Sequence, residues 1–509
     1  MISNKRHFVY NLLTSYGNTI ASAVISFVSV PIALNYWGGE LYGVWTILTS
    51  FAAYITASGL GIDGATGALM TKNADIRVKV GILKKGVRLL LCSSFVAAAV
   101  TLLLTLFVPD WFKIIGKMNE ANYPIAKLSA IIFVFGIIIN LPLSAVSNSL
   151  QSFGKAYIYN VMTTLQNVLV FLSIVITAAL KFSLPVYVLL VQSVTILCSL
   201  IKLFIVLATA KKELAALGDA PPPLPEAPDN RYMTILKMGV NGSLYSLALM
   251  LVPNISNLII SNNLDVGALV PYSLSFKLFS MITVFVSNVN VSMSPLMGRE
   301  YGNKNWTWLV DAHKKMFKST VSLGLFVILG VIWLSKPFIF FWTGSTKNYA
   351  GDFISILVGL YFLIMVLSTV NHVVINAFNY TSKVWVISWA DGAVFLLSSL
   401  LFIKKLGVLA VPLGLCAGGY LVSFWAYPLL VYLRTQKRFK YDFAYLLKNF
   451  CAFIISLMLF LIVSNLNVSF AAQTFLQVLG MAATTVVLLL LSPAEFKNVL
   501  LKKIGRRSS

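Results

Sequence analysis

The chain has 509 residues, of which 58% are hydrophobic and 11% are charged, so it is too apolar to be a set of water-soluble domains. Its apolar residues suffice for roughly fourteen helices of about 20 residues each, which leaves little chain for a soluble domain. The net charge is +23, yet no soluble basic domain is available to carry it, so we expect no nucleic-acid partner. The composition predicts an all-α polytopic membrane protein.

Hydropathy, punctuated by Gly, Pro and charged residues, predicts fourteen membrane spans. An even number of spans places both termini on the same side of the membrane. In chain order the predicted spans are 11–34, 41–62, 89–108, 128–146, 158–180, 185–207, 239–261, 269–291, 320–341, 354–375, 384–403, 408–433, 450–468 and 475–491.

The Lys and Arg residues are unevenly divided between the two sides of the predicted membrane. Of the 39, thirty fall on the side of the termini, eight on the other side, and Lys277 within a span. The cytoplasmic loops of membrane proteins carry the excess of Lys and Arg. Both termini are therefore expected in the cytoplasm.

Two halves are predicted from an internal repeat. Residues 147–160 align with residues 375–388 at an offset of 228, and Lys84–Lys85 aligns with Lys314–Lys315 at an offset of 230. Two six-helix halves in the same orientation would enclose a central cavity. The predicted divisions are a first half at 1–210, a cytoplasmic linker at 211–234 that contains PPPLPEAP, a second half at 235–433, and a terminal helix pair with a basic tail at 434–509.

Four charged residues within or at the ends of the spans are the candidate functional groups, because a charge in hydrocarbon is costly and marks a binding site or pathway by default. Lys277 lies deep in the eighth span and either holds an anionic substrate group or serves as a structural partner. Asp391 in the eleventh span either carries a proton or cation or pairs with Lys277. Asp63 and Arg88 lie at the cytoplasmic ends of spans two and three, where interfacial anchoring is the alternative to a functional role.

Other chemistry has no sequence support. The chain has no nucleotide-binding P-loop sequence and no H-E-x-x-H pair, and its four Cys lie in apolar segments without metal-binding spacing. We expect no catalytic residue, metal or cofactor, and therefore no enzyme.

The stretch from Val30 to Lys72 resembles the N-terminal signature of the polysaccharide flippase branch of the multidrug/oligosaccharidyl-lipid/polysaccharide exporter superfamily. Its elements are Pro31, the Gly39-Glu40-Leu41-Tyr42-Gly43 turn, and a glycine-rich exit at residues 59–67. LQSFGKAYIYN at 150–160 and VGALVPYSLSFKLFS at 266–280 are also similar to that family, and the resemblance extends over essentially the whole chain.

The resemblance implies a flippase that moves an undecaprenyl-pyrophosphate-linked oligosaccharide, such as an O-antigen unit, to the outer leaflet of a bacterial inner membrane by alternating access. Cationic residues would meet the anionic headgroup, with Lys277 as the first candidate and Arg88 as the second. An ion or proton gradient would drive cycling, with Asp391 and Asp63 as the coupling candidates. Membrane lipids, a polysaccharide polymerase and a chain-length regulator are the other expected partners.

Three alternatives remain open. A peptidoglycan-precursor lipid flippase and a multidrug or cation antiporter belong to the same superfamily. The antiporter would favour acidic groups in its cavity, whereas the deep charge here is Lys277. A membrane glycosyltransferase or polymerase is the alternative from a different class, and its expected long outer loop is missing from the sequence.

Overall fold

The computed structural model describes residues 2–57, 59–73, 75–108, 113, 116–216, 231–378 and 384–491. These residues are almost entirely helical. The α-helices are α1 (Ile2–Ala57), α2 (Ile62–Lys72), α3 (Ile76–Phe107), α4 (Tyr123–Ser152), α5 (Ala156–Ala179), α6 (Leu184–Ala215), α7 (Arg231–Asn263), α8 (Val266–Val291), α9 (Ser294–Gly302), α10 (Trp306–Thr343), α11 (Asp352–Ala377), α12 (Val384–Leu406), α13 (Ala410–Gly418), α14 (Phe424–Arg434), α15 (Phe443–Ser464) and α16 (Phe470–Leu491).

Eleven helical segments of the described chain are long and apolar enough to cross a membrane. Two of them, at 17–52 and 384–434, contain 36 and 51 residues, far more than the roughly 20 that one crossing needs. The first bends at Gly38, whose φ of 75° is left-handed, and the second is interrupted by a 3₁₀ turn at Gly407–Leu409. The 51-residue segment and the 56-residue helix α1, which contains the first segment, are each long enough for two crossings. The all-α polytopic prediction is confirmed.

The structure divides into two compact units, Met1–Gly267 and Ala268–Ser509. In the first unit, α4 packs against α1, α2, α3 and α6, while α7 packs against α1, α2 and α3. A buried apolar cluster that includes Met70, Leu90, Leu150 and Val206 joins these helices near the ends that carry the Lys-rich turns. We call this end, with the α2–α3 and α4–α5 turns and the last turns of α6, the basic end of the first unit.

A short break between α1 and α2 allows α7 to approach the backbone closely. Leu60 and Gly61 have left-handed φ angles of 49° and 59°. A Cβ added to Gly239 on α7 would lie 2.5 Å from the Leu60 carbonyl oxygen, and one added to Gly61 would lie 2.7 Å from the Gly239 carbonyl oxygen. The glycine-rich exit of the second predicted span is thus a backbone-to-backbone joint, and α2 is a short helix that hydropathy did not predict.

At the other end of the first unit, the irregular segment at residues 116–122 is tied to neighbouring elements by hydrogen bonds. The Lys117 amide donates to the Ser261 carbonyl at 3.0 Å, and the Val266 amide donates to the Lys117 carbonyl at 3.0 Å. Glu40 accepts a hydrogen bond from the Asn122 side chain at 2.8 Å and another from the Asn119 amide. The glutamate of the Gly39–Gly43 motif therefore holds the turn that precedes α4.

In the second unit, α10 packs against α11, α15 and α16, and α12 packs against α13. The indole of Trp333 on α10 is buried and donates to Ser456 Oγ on α15 at 3.0 Å. Between α13 and α14 the helix widens into a π-helical turn at Gly419–Ser423. This turn lies beside α12, which carries Asp391.

The structure places α7 in the first unit, because α7 packs along α1 and α2. The division into six-helix halves at 1–210 and 235–433, with the terminal pair at 434–509, stays a prediction. The PPPLPEAP stretch of the linker and the basic tail from residue 492 onward lie outside the described residues.

Candidate functional site

Lys277 lies near the middle of α8, eleven residues after its start, or about 16 Å along the helix axis. Its neighbours Leu274, Leu278 and Phe279 are buried, and its own side chain is partly buried. Among the described residues, no carboxylate lies within ion-pairing distance of its ammonium group and no hydrogen-bond acceptor contacts it. The only hydrogen bond at this residue is accepted by its backbone carbonyl, from Ser280 Oγ at 2.8 Å. Lys277 is therefore a central cation without a structural partner in the described chain.

Asp391 lies on α12 against the π-helical turn. One carboxylate oxygen accepts a hydrogen bond from Ser423 Oγ, and the other, Oδ1, is buried without a hydrogen-bond partner among the described residues. Gly418 allows this close packing, since a Cβ there would lie 2.6 Å from the Asp391 carbonyl oxygen. A π-helical turn often marks a functional site because it redirects side chains and frees backbone groups. The site could hold a proton or a small cation on the open oxygen.

The structure does not bring Lys277 and Asp391 together as an ion pair. Asp391 is instead held by Ser423, within the contact of α12 with the π-helical turn. The sequence left two interpretations of Asp391 open, a proton or cation carrier and an ion pair with Lys277. The ion pair with Lys277 is therefore wrong in this structure. The functional assignments of both residues stay predictions.

Asp63 and Arg88 both have partners in the first unit. Asp63, in the first turn of α2, accepts a hydrogen bond from Asn148 Nδ2 on α4 at 3.0 Å. Arg88 is exposed on α3 and donates from Nη1 to the Tyr232 hydroxyl on α7 at 3.3 Å. Each joins two helices at the basic end. Their roles in ion coupling and substrate binding stay predictions.

Sequence reasoning missed a second intramembrane cation. Lys202 was counted among the cytoplasmic residues, but it lies within α6 with only 4% of its surface exposed. Its ammonium group donates to Gln166 Oε1 on α5 at 3.3 Å and lies 5.3 Å from the centre of the Tyr159 ring. The signal was present in the sequence, since Lys202 is nine residues before Lys211 and falls inside the predicted span 185–207.

Comparisons with known proteins find similarity to membrane transporters. Residues 243–391 match the MatE family model. A putative O-antigen transporter from Salmonella typhimurium is 24% identical over 212 residues, a match that covers 41% of this chain and 48% of that relative. A putative O-antigen transporter from Salmonella typhi is 21% identical over 456 residues, covering 85% of this chain and 97% of that relative.

Solved structures share the fold. The lipid II flippase MurJ in an inward closed conformation matches with a TM-score of 0.66 at 14% identity, covering 94% of this chain and 98% of that one. A multidrug resistance MATE family transporter of the MOP superfamily, in an inward-facing conformation, matches with a TM-score of 0.63 at 13% identity, covering 82% and 95%. Residues 243–391 thus match the MatE family model, and the chain shares its fold with MurJ and with a MATE transporter, in agreement with the resemblance found in the sequence.

Proposed function

We propose that this protein is a flippase that moves a polyprenyl-pyrophosphate-linked oligosaccharide, of the O-antigen or a related surface-polysaccharide type, from the cytoplasmic to the outer leaflet of a bacterial inner membrane. The relatives named putative O-antigen transporters support the substrate class. The observation that carries the proposal is Lys277, a central intramembrane cation for which the described residues provide no counter-charge.

The charge of Lys277 matches the chemistry of such a substrate. A pyrophosphate is multiply anionic, and a cation in a weakly screening environment attracts it much more strongly than in water. An antiporter for organic cations would instead place a carboxylate at the deepest position. Lys277 is therefore the first candidate for the anionic headgroup, and Arg88 at the basic end of the first unit is the second candidate.

Asp391 is the proposed coupling group. Its buried carboxylate has one oxygen that no described donor occupies, so protonation or cation binding there would change the local charge by one unit. That change would alter how α12 packs on the π-helical turn and so bias one conformation over another. Asp63, held by Asn148, is the second candidate for coupling.

The remaining parts of the proposal concern topology and partners. Both termini would lie in the cytoplasm, and the two six-helix halves would alternate access around a central cavity. A polysaccharide polymerase and a chain-length regulator would act on the product in the outer leaflet, and membrane lipids would surround the helices. The protein itself would carry out no covalent chemistry.

The decisive experiment is deletion of the gene, followed by extraction and mass spectrometry of the lipid-linked intermediates. We expect a complete oligosaccharide repeat unit on a polyprenyl pyrophosphate to accumulate, together with loss of the surface polysaccharide, and expression of the gene in trans to restore export. Accumulation of the peptidoglycan precursor instead would replace this proposal with the peptidoglycan-precursor flippase. Unchanged lipid intermediates would refute both.

A further inference from the structure

Lys202 lies deep within the first unit. It is nine residues, or about 13 Å along α6, from the exposed Lys211 at the basic end. Residues flanking it on α6, such as Ile201 and Phe204, expose 44% and 69% of their surface as expected of lipid-facing positions. Lys202 is thus a buried cation inside the predicted span 185–207, where an unneutralised charge is costly and by default functional.

The surroundings of Lys202 do not neutralise it. Within the described part of the chain no carboxylate lies within 4 Å of its ammonium group, and the one hydrogen bond, to Gln166, goes to a neutral oxygen. An ammonium group has three N–H donors, and the described residues offer one oxygen acceptor, the face of the Tyr159 ring and the nearby thiol of Cys198 on the same helix. At least one N–H donor is left for an acceptor-rich partner, since a thiol is only a weak acceptor.

Gln166 adds a second set of donors at the same place. Its Oε1 accepts from Lys202, so its NH₂ group, which has no partner among the described residues, is directed away from that bond. Both Gln166 and Tyr159 are partly exposed. Lys202 thus lies directly beneath an accessible polar face of α5.

That polar face continues onto α1 as a ladder of hydrogen bonds. Three side-chain pairs join α1 and α5 at successive turns, and all six side chains are partly exposed. The pairs are Asn160 Nδ2 to Thr14 Oγ1 at 3.2 Å, Thr164 Oγ1 to Asn18 Oδ1 at 3.0 Å, and Asn167 Nδ2 to Ser22 Oγ at 2.7 Å. The ladder carries no charge, so Lys202 supplies the charge of this polar surface.

We propose that Lys202 and Gln166 form an anion-binding site in the first unit that takes a phosphate ester presented from the inner leaflet. Phosphate oxygens accept several hydrogen bonds, which matches a buried ammonium group beside an amide. Both a polyprenyl pyrophosphate and a phospholipid headgroup carry this chemistry. The link to export rests on the proposed function, whereas binding of the anion does not.

Binding is measured on purified full-length protein in dodecyl maltoside micelles, which carry no phosphate, with farnesyl pyrophosphate as the probe and farnesol as the uncharged match. The Lys277→Met background removes the cation that the proposed function assigns to the headgroup. In that background we expect Lys202→Met to weaken farnesyl pyrophosphate binding at least tenfold and to leave farnesol binding unchanged. The control is Lys84→Met, on an exposed residue of α3, which should bind as the background does.

Gln166→Glu separates a binding role from a structural one. The new carboxylate would lie beside Lys202 and act as an internal anion, which strengthens the link between α5 and α6 while it competes with the probe. We therefore expect a melting temperature at least as high as that of the parent and binding of farnesyl pyrophosphate at least tenfold weaker. Unchanged binding in both Lys202→Met and Gln166→Glu would overturn the proposal and leave Lys202 as a structural link.

The source of the phosphate is distinguished by adding phosphatidylglycerol to the micelles. Competition with farnesyl pyrophosphate that depends on Lys202 would identify a site open to phospholipid headgroups, and lack of competition would identify a site selective for the pyrophosphate-linked lipid. Normal export in the deletion strain would refute the proposed function. It would not change what the binding measurements say about the anion site.

Discussion

The close backbone contact between α7 and the α1–α2 break predicts that an added methyl group there disrupts packing. In Gly239→Ala the new Cβ would lie 2.5 Å from the Leu60 carbonyl oxygen and 3.2 Å from the backbone of Gly61 and Ile62. These are backbone atoms and cannot rotate away, so α7 must move outward by about 1 Å to restore ordinary contact. We expect the free energy of unfolding to fall by about 1–3 kcal/mol, the usual range for overpacking.

The assay is the melting temperature of the full-length protein in detergent, paired with complementation of polysaccharide export in the deletion strain. Gly239→Ala should melt lower than the parent and export less. Gly64→Ala is the matched control, because Gly64 is an exposed helical residue of α2 with no atom within 4 Å of its added Cβ. The control should melt at or slightly above the parent, since alanine favours helix. A Gly239→Ala variant that melts like the parent would refute the close approach of the two backbones.

Three further predictions concern charged groups. Lys277→Met should lower export at least tenfold, as measured by surface polysaccharide per cell, and Lys277→Glu should lower it further. Equal export in the two variants would indicate that Lys277 serves only in packing. Asp391→Asn should make export in inverted vesicles insensitive to an imposed proton or sodium gradient, and a normal response would exclude Asp391 from coupling. Asp442 lies outside the spans, and Lys318, which donates to it at 2.9 Å, lowers the pKa of Asp442 below its ordinary value of 3.8. This stabilisation is present above pH 4 and is lost as the pH falls through the lowered pKa, so Asp442→Asn should lower the melting temperature at pH 7 and have less effect at pH 3.

Hydropathy and charge distribution were sufficient to predict the fold class. Each span needs about 20 apolar residues whatever it packs against, so counting such stretches works without knowledge of contacts. The same reasoning marked Lys277 and Asp391, because a charge inside an apolar stretch is visible in the sequence alone. The glycine-rich exit after the second span was also visible, although its role as a joint with Gly239 was not.

The sequence did not show which side chains contact one another in the folded protein. Asp391 and Ser423 are 32 residues apart and meet because a π-helical turn widens the helix between α13 and α14. Lys202 was misplaced because a charge near a span end is normally assigned to the adjacent loop, and its burial depends on how α5 and α6 pack. Such contacts depend on long-range packing, which local hydropathy does not report.

The sequence by itself determined an all-α membrane protein and marked the charges of Lys277 and Asp391 within its spans, since both follow from the solvation cost of individual residues in hydrocarbon. Only the tertiary structure decided that α7 packs with the first unit, that Asp391 is held by Ser423 rather than by Lys277, and that Lys202 is buried beside Gln166. The physical reason is that burial and hydrogen bonding belong to pairs of residues distant in the chain, and their energies depend on distances that only the fold sets.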